Sequence, residues 1–129
     1  LARYGSPLGR AFQYRDDVLG VFGDVAMTGK PAGDDLREGK LTVLIANAMA
    51  MASESAAAEL AALLGRGLTE HELATARSII ADSGALAATE DEIAQATDEA
   101  LAALIDPAIT EPTRTGLATL AAVATRRAA

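Results

Sequence analysis

Apolar residues recur along the first part of this chain at three- and four-residue spacings. Leu8, Ala11, Phe12, Arg15, Leu19 and Phe22 fall on one face of a helix that the pattern predicts from about Pro7 to Gly23. A rotation of 100° per residue places Gln13, Asp16, Asp17 and Gly20 together on a different face. The periodicity then stops from Gly23 to Lys40, where Gly23-Asp24, Thr28-Gly29-Lys30-Pro31, Gly33-Asp34-Asp35 and Glu38-Gly39-Lys40 make a glycine-studded loop. A second helix is predicted from Leu41 to Leu64, ending at Gly65-Arg66-Gly67. Thr69 with Glu72 has the form of a capping box opening a third helix to about Asp82. Thr89 with Glu92 repeats the signature before a fourth helix, stopped by Pro107. The last helix is predicted to start near Glu111-Pro112, where a first-turn proline is tolerated, and to reach Arg127.

Composition strengthens this all-α reading. Half of the 129 residues are apolar, yet only two Phe, two Tyr and no Trp are present, and alanine, the best helix former, supplies much of the remainder. The β-branched and aromatic residues that favour strands are thin. The length suits one domain. With no cysteine and one histidine, disulfides, Fe–S clusters, thiolate zinc and histidine-rich metal sites are excluded. The net charge of −7 argues against a nucleic-acid groove, which needs clustered Lys and Arg. No run of 18 apolar residues spans a membrane; Leu41 to Met51 comes nearest and is interrupted by Asn47. These features predict a cytoplasmic protein, and the start at Leu1 reads as the inside of a longer one.

Charge placement brings in the chemistry. Asp16 and Asp17 have no salt-bridge partner one turn on, at Gly20 or Val21, so they are poorly explained as surface stabilisation. Both lysines of the chain, Lys30 and Lys40, follow a glycine in the loop. Magnesium takes oxygen ligands and is commonly held by one or two carboxylates plus substrate phosphates. Adjacent acids followed by a lysine loop supply both halves of a metal–diphosphate clamp, and departure of diphosphate from carbon needs such charge stabilisation. Spacing alone leaves two readings open, this clamp and a solvated helix face. His71 is expected to be exposed, the Glu90–Glu92 cluster to favour its helix N-terminus, and Met49 and Met51 to fill the core.

The string Gly9-Arg10-Ala11-Phe12-Gln13-Tyr14-Arg15-Asp16-Asp17, then Gly23-Asp24, then Thr28-Gly29-Lys30-Pro31-Ala32-Gly33-Asp34-Asp35-Leu36-Arg37-Glu38-Gly39-Lys40, strongly resembles the second aspartate-rich region of trans-type isoprenyl (polyprenyl) diphosphate synthases. The look is nearest to actinobacterial geranylgeranyl and farnesyl diphosphate synthases. Weaker similarity runs through Ser83-Gly84-Ala85-Leu86 and from Arg114 to Arg127.

The resemblance implies the C-terminal half of an isoprenoid-synthase-type helical bundle over residues 1–129, with the aspartate-rich helix at 7–23, the lysine loop at 23–40 and further helices over 41–127. It implies a prenyltransferase that condenses an allylic diphosphate with isopentenyl diphosphate with the help of Mg2+, and a homodimer in the complete protein. Asp16 and Asp17 match metal-binding aspartates, Asp16 and Lys30 are the candidate catalytic residues, and Gln13, Lys30, Lys40 and Phe12 match substrate-binding positions. Asp35 matches a loop acid that orients its neighbours, and Arg126 and Arg127 fall where a basic tail occurs. The family motif is DDxxD, and Gly20 stands at its last aspartate, with Asp24 as a candidate substitute. No first aspartate-rich motif is present, so these residues alone are expected to be inactive. A non-catalytic helical or regulatory subunit that kept the fold is the competing reading.

Overall fold

Helices account for every regular element of the described residues. The computed structural model describes residues 2–23, 33–105 and 108–126, which form α1 (Ala2–Phe22), α2 (Asp34–Glu38), α3 (Val43–Met51), α4 (Glu54–Leu63), α5 (Glu70–Asp82), α6 (Ala85–Ala103) and α7 (Glu111–Arg126). The fold is all-α. The chain divides into two compact units. One comprises Asp16–Glu90, and the other combines Leu1–Arg15 with Asp91–Ala129.

In the Asp16–Glu90 unit, α3, α4 and α5 pack on one another. Val21, Leu36, Leu44, Ile45, Leu60, Leu73, Ala76 and Ile80 form a core that excludes water almost completely. Each large aliphatic side chain withdrawn in this way contributes on the order of 1.5–3 kcal/mol. The predicted helix over 41–64 is broken. The join falls at Ser53-Glu54-Ser55, a polar stretch whose capping serine is the local signal that the prediction of one long helix passed over. Ala52 and Ser53 are extended, and the Ser53 hydroxyl accepts a hydrogen bond from the Ala56 N–H at 3.2 Å, which caps α4 afresh. Met49 packs against the core as expected, whereas Met51 is about half exposed.

Two capping signatures meet different fates. Thr69 and Glu72 form a reciprocal box: the Thr69 hydroxyl accepts from the Glu72 N–H at 3.1 Å, and the Glu72 carboxylate accepts from the Thr69 N–H at 3.0 Å. Thr89 caps nothing. Helix α6 begins at Ala85, after Gly84 at φ 90°, and Thr89 lies inside it, fully buried, accepting a hydrogen bond from Asn47 Nδ2 at 3.2 Å. The Ser83 hydroxyl accepts from the Ala85 N–H at 3.1 Å and takes the role expected of Thr89. Glu90, Asp91 and Glu92 consequently fall beyond the first turn of α6 and not at its N-terminus.

In the other unit the core is smaller. Tyr4, Ala100, Leu104 and Ala121 cluster with Leu8, Ile109 and Leu117 at their margin. Helix α1 starts at Ala2, so Pro7 lies within it and not at its head. Proline there removes the N–H that would reach the Arg3 carbonyl, a cost of about 3 kcal/mol in an isolated helix. Tertiary packing overrides it. Tyr4 and Pro7 are buried, and the Tyr4 hydroxyl donates to the Leu117 carbonyl at 2.5 Å. Burial raises the Tyr4 pKa. Arg114 donates to the carbonyls of Leu104 and Ile109 and so ties the end of α6 to the approach to α7. Pro107 lies outside the described residues.

Candidate functional site

The acidic pair sits in the C-terminal half of α1, a 21-residue helix. Its C-terminal half is buried on more than one side: Val18, Leu19 and Val21 are all withdrawn from water, and so is Asp17, which is 5% exposed. The solvated-face reading therefore fails for Asp17. Asp16 is half-buried, and both aspartates interact with other groups. The apolar face drawn from the sequence also needs correction at Phe12, which is 37% exposed, and at Arg15, which is buried as a polar anchor. The Arg15 Nε donates to the Thr125 carbonyl at 2.8 Å, near the C-terminal end of α7. A guanidinium on the last-turn carbonyls of a helix satisfies an orphan acceptor and opposes the negative end of its dipole.

Part of the predicted loop is ordered into a helical turn. Gly33 precedes α2 at φ 73° and Gly39 follows it at φ 68°, both left-handed. At the C-terminal end the Gly39 N–H donates to the Leu36 carbonyl at 3.2 Å, and the Lys40 N–H donates to the Asp35 carbonyl at 3.0 Å. This pair of bonds is a Schellman motif, for which glycine at the left-handed position is the usual residue. Gly65 donates its N–H to the Leu36 carbonyl at 2.9 Å, and a Cβ on Gly39 would lie 3.1 Å from the Gly65 Cα. Lys40 is therefore fixed at its main chain while its side chain is exposed.

The same turn carries an acid into the molecule. Leu36 is fully buried and draws Asp35, 4% exposed, in with it. The Asp35 carboxylate lies against Gly20 of α1. A Cβ built on Gly20 would stand 2.5 Å from the Asp35 Cγ and 3.1 Å from its Oδ1, so position 20 has room for no side chain while Asp35 stays where it is. Carboxylate oxygens of Asp34, Asp35 and Glu38 also lie within 4.8 Å of one another. Sequence reasoning assigned Asp35 an orienting role and gave Asp34 and Glu38 none. The available signal was the glycine at the motif's last aspartate, together with acids four residues apart in a segment read as loop.

The other predicted residues divide by position. Gln13 precedes Asp16 by three residues on α1 and is exposed. Asp24 and Lys30 lie outside the described residues, as does Arg127, and the side chain of Arg126 is not described. His71 is exposed at the start of α5. An open groove of about 690 Å³ is lined by Arg10, Tyr14, Gln95 and Asp98, among others, and contains none of the predicted site residues. Oxygen donors are what a hard divalent cation takes, and among the described residues the acids whose oxygens come together are Asp34, Asp35 and Glu38, while Asp16 and Asp17 stand apart from that group on α1.

Comparison with known proteins places these residues in a context. The family described as polyprenyl synthetase matches residues 1–81. The geranylfarnesyl diphosphate synthase of Aeropyrum pernix is 46% identical over 86 residues, which is 67% of this chain and 26% of that protein. The geranylgeranyl diphosphate synthase of Mycobacterium tuberculosis is 43% identical over 111 residues, 82% of this chain and 31% of that protein. Among solved structures, geranylgeranyl pyrophosphate synthase from Corynebacterium glutamicum, complexed with isoprenyl diphosphate and magnesium, superposes with a TM-score of 0.94 at 45% identity, over 98% of this chain and 36% of that one. The chain thus spans about a third of the length of these proteins. By sequence match and fold together, it belongs to the polyprenyl synthetase family.

Proposed function

We propose that this chain is the part of a prenyltransferase that holds the leaving diphosphate of an allylic substrate while isopentenyl diphosphate is added to it, giving a longer trans-polyprenyl diphosphate. The observation that carries the reading is the acidic pair Asp16-Asp17, with Asp17 buried in α1, beside the α2 turn that fixes Lys40 at its main chain. The donor set fits Mg2+, which when bound supplies charge neutralisation of the diphosphate oxygens.

The protein's own residues do the rest. Asp16 and Asp17 hold the cation from a rigid helix. Lys30 and Lys40 grip the diphosphate oxygens as negative charge grows on the leaving group. Gln13 hydrogen-bonds the allylic diphosphate, and Phe12 walls the hydrocarbon. The carbon–oxygen bond breaks with both electrons going to diphosphate; the double bond of isopentenyl diphosphate attacks the allylic cation, and a proton is lost to the released diphosphate. The complete synthase is a cytoplasmic homodimer in this reading. Among the described residues no helix is long and apolar enough to cross a membrane.

The test is isopentenyl incorporation by the complete protein carrying Asp16→Ala or Lys30→Ala. Each is expected to lower turnover by about 100-fold or more, the scale of losing one stabiliser of developing charge. Parent-like turnover in both variants would overturn the proposal.

A further inference from the structure

Helices α6 and α7 differ in what they show to water. On α6 the exposed positions include Asp91, Asp98 and Glu99, as expected of a face left in solvent. On α7 the run from Thr115 to Thr125 contains no charged residue at all. Its inner face is accounted for: Leu117 and Ala118 pack on the cluster that buries Ala121, and Thr125 is buried as well. The outer face is apolar too. Leu120 and Val123 lie three residues apart and are 53% and 64% exposed, among the exposed Gly116, Thr119 and Ala122. A single exposed leucine is ordinary, but a helix that is uncharged and apolar on both faces belongs to an interior.

We propose that the outer face of α7, centred on Leu120 and Val123, is a docking surface for the part of the synthase that lies outside these 129 residues, within the same polypeptide. Length argues for that occupant. The chain superposes on the Corynebacterium glutamicum synthase with a TM-score of 0.94 but covers only 36% of it, so most of that structure lies outside the match. A domain covers the second apolar face of an internal helix with another layer of its own elements. Such a contact is made at the high effective concentration of a linked segment, which favours it over a second copy. The missing charge fits as well, because an apolar helix can lie across Leu120 and Val123 without stranding a carboxylate or an ammonium away from water. Gly116 and Ala122 are small and let the backbone of that helix come close. The inference rests on family membership and not on the diphosphate chemistry proposed above, so its failure leaves that reading standing.

The experiment places the photo-crosslinking residue benzoylphenylalanine at position 120 or 123 of the complete protein. An equal mixture of unlabelled and heavy-isotope-labelled protein is irradiated, and the joined peptides are mapped by mass spectrometry. The expected products join α7 to a peptide outside these 129 residues, with both halves carrying the same isotope label. Products that pair a heavy with a light half would assign the face to a second copy and overturn the proposal. So would the absence of products, or products confined to these 129 residues. If the crosslinking variants do not fold, Leu120→Glu in the complete protein decides. A charge forced into a covered seam is expected to lower the thermal midpoint by about 4 °C or more. On a helix face left in water the same substitution leaves the midpoint in place, and that result would overturn the docking surface.

Discussion

The two units hold themselves together by different means. Between Asp16 and Glu90 the interior is aliphatic and dry, with Leu36, Leu44, Ile45, Leu60 and Ile80 all fully buried. In the unit made by Leu1–Arg15 and Asp91–Ala129 the central cluster is two alanines, a leucine and Tyr4. Directed bonds supplement it: Tyr4 to the Leu117 carbonyl, Arg15 to the Thr125 carbonyl and Arg114 to the carbonyls of Leu104 and Ile109. This second unit also leaves Ile105, Leu120 and Val123 more than half exposed. The candidate carboxylates Asp16, Asp17 and Asp35 belong to the unit with the aliphatic core. Carboxylates that must be held at fixed separations in an acidic cluster repel one another, and a close-packed interior resists the resulting strain better than a few hydrogen bonds on small residues.

The largest expected effect separates chemistry from packing. In the complete protein, Asp16→Ala is expected to cost about 100-fold or more in turnover, while the thermal midpoint moves far less than on truncating a core side chain, because Asp16 is only half-buried. A midpoint that falls along with turnover would mean that the pair is structural. Next, Ile80→Ala removes a fully buried side chain from the aliphatic core and is expected to destabilise by about 2–5 kcal/mol in denaturant titration. Arg15→Met keeps the length of the side chain and strands the Thr125 carbonyl, for an expected loss of about 1–3 kcal/mol. If the two substitutions cost the same, or Arg15→Met costs more, the contrast between an aliphatic and a hydrogen-bonded unit fails.

The sequence carried the helices and the identity of the acids, because both are written in local pattern. The capping box at Thr69 involves residues three apart and was readable for that reason. The same letters at Thr89 were misleading. The Thr89 hydroxyl is committed to Asn47, 42 residues away, and no local signature registers such a partner. Pro7 inside α1 was masked likewise, because the packing that tolerates it comes from Tyr4 meeting Leu117 across 113 residues. Burial of Asp17 and the seating of Asp35 against Gly20 were invisible for the same reason. Periodicity predicts which face of a helix is apolar, but not that an acid from another element will fill the gap beside a glycine.

The smallest expected effect lies at a purely local feature, the capping box of α5, and it serves as the control for the rest. Thr69→Ala removes the hydroxyl that accepts from the Glu72 N–H and is expected to cost about 1 kcal/mol. Glu72 has its pKa lowered from 4.5, first by the hydrogen bond from the Thr69 N–H, with Arg66 and His71 adding favourable charge. A carboxyl group whose pKa is lower folded than unfolded binds fewer protons in the native state. Its contribution is therefore complete above pH 4.5 and is lost as pH falls through the lower folded value. In urea titrations, the difference between the parent and Glu72→Gln should be present at pH 7 and should shrink below pH 4.5. Because the box is exposed and its bonds stay within the first turn of α5, neither substitution should alter Mn2+ binding. A change in metal affinity on losing Thr69 would mean that the site is strained through α5, and the rigid aliphatic unit would then be a poor description of what holds the carboxylates.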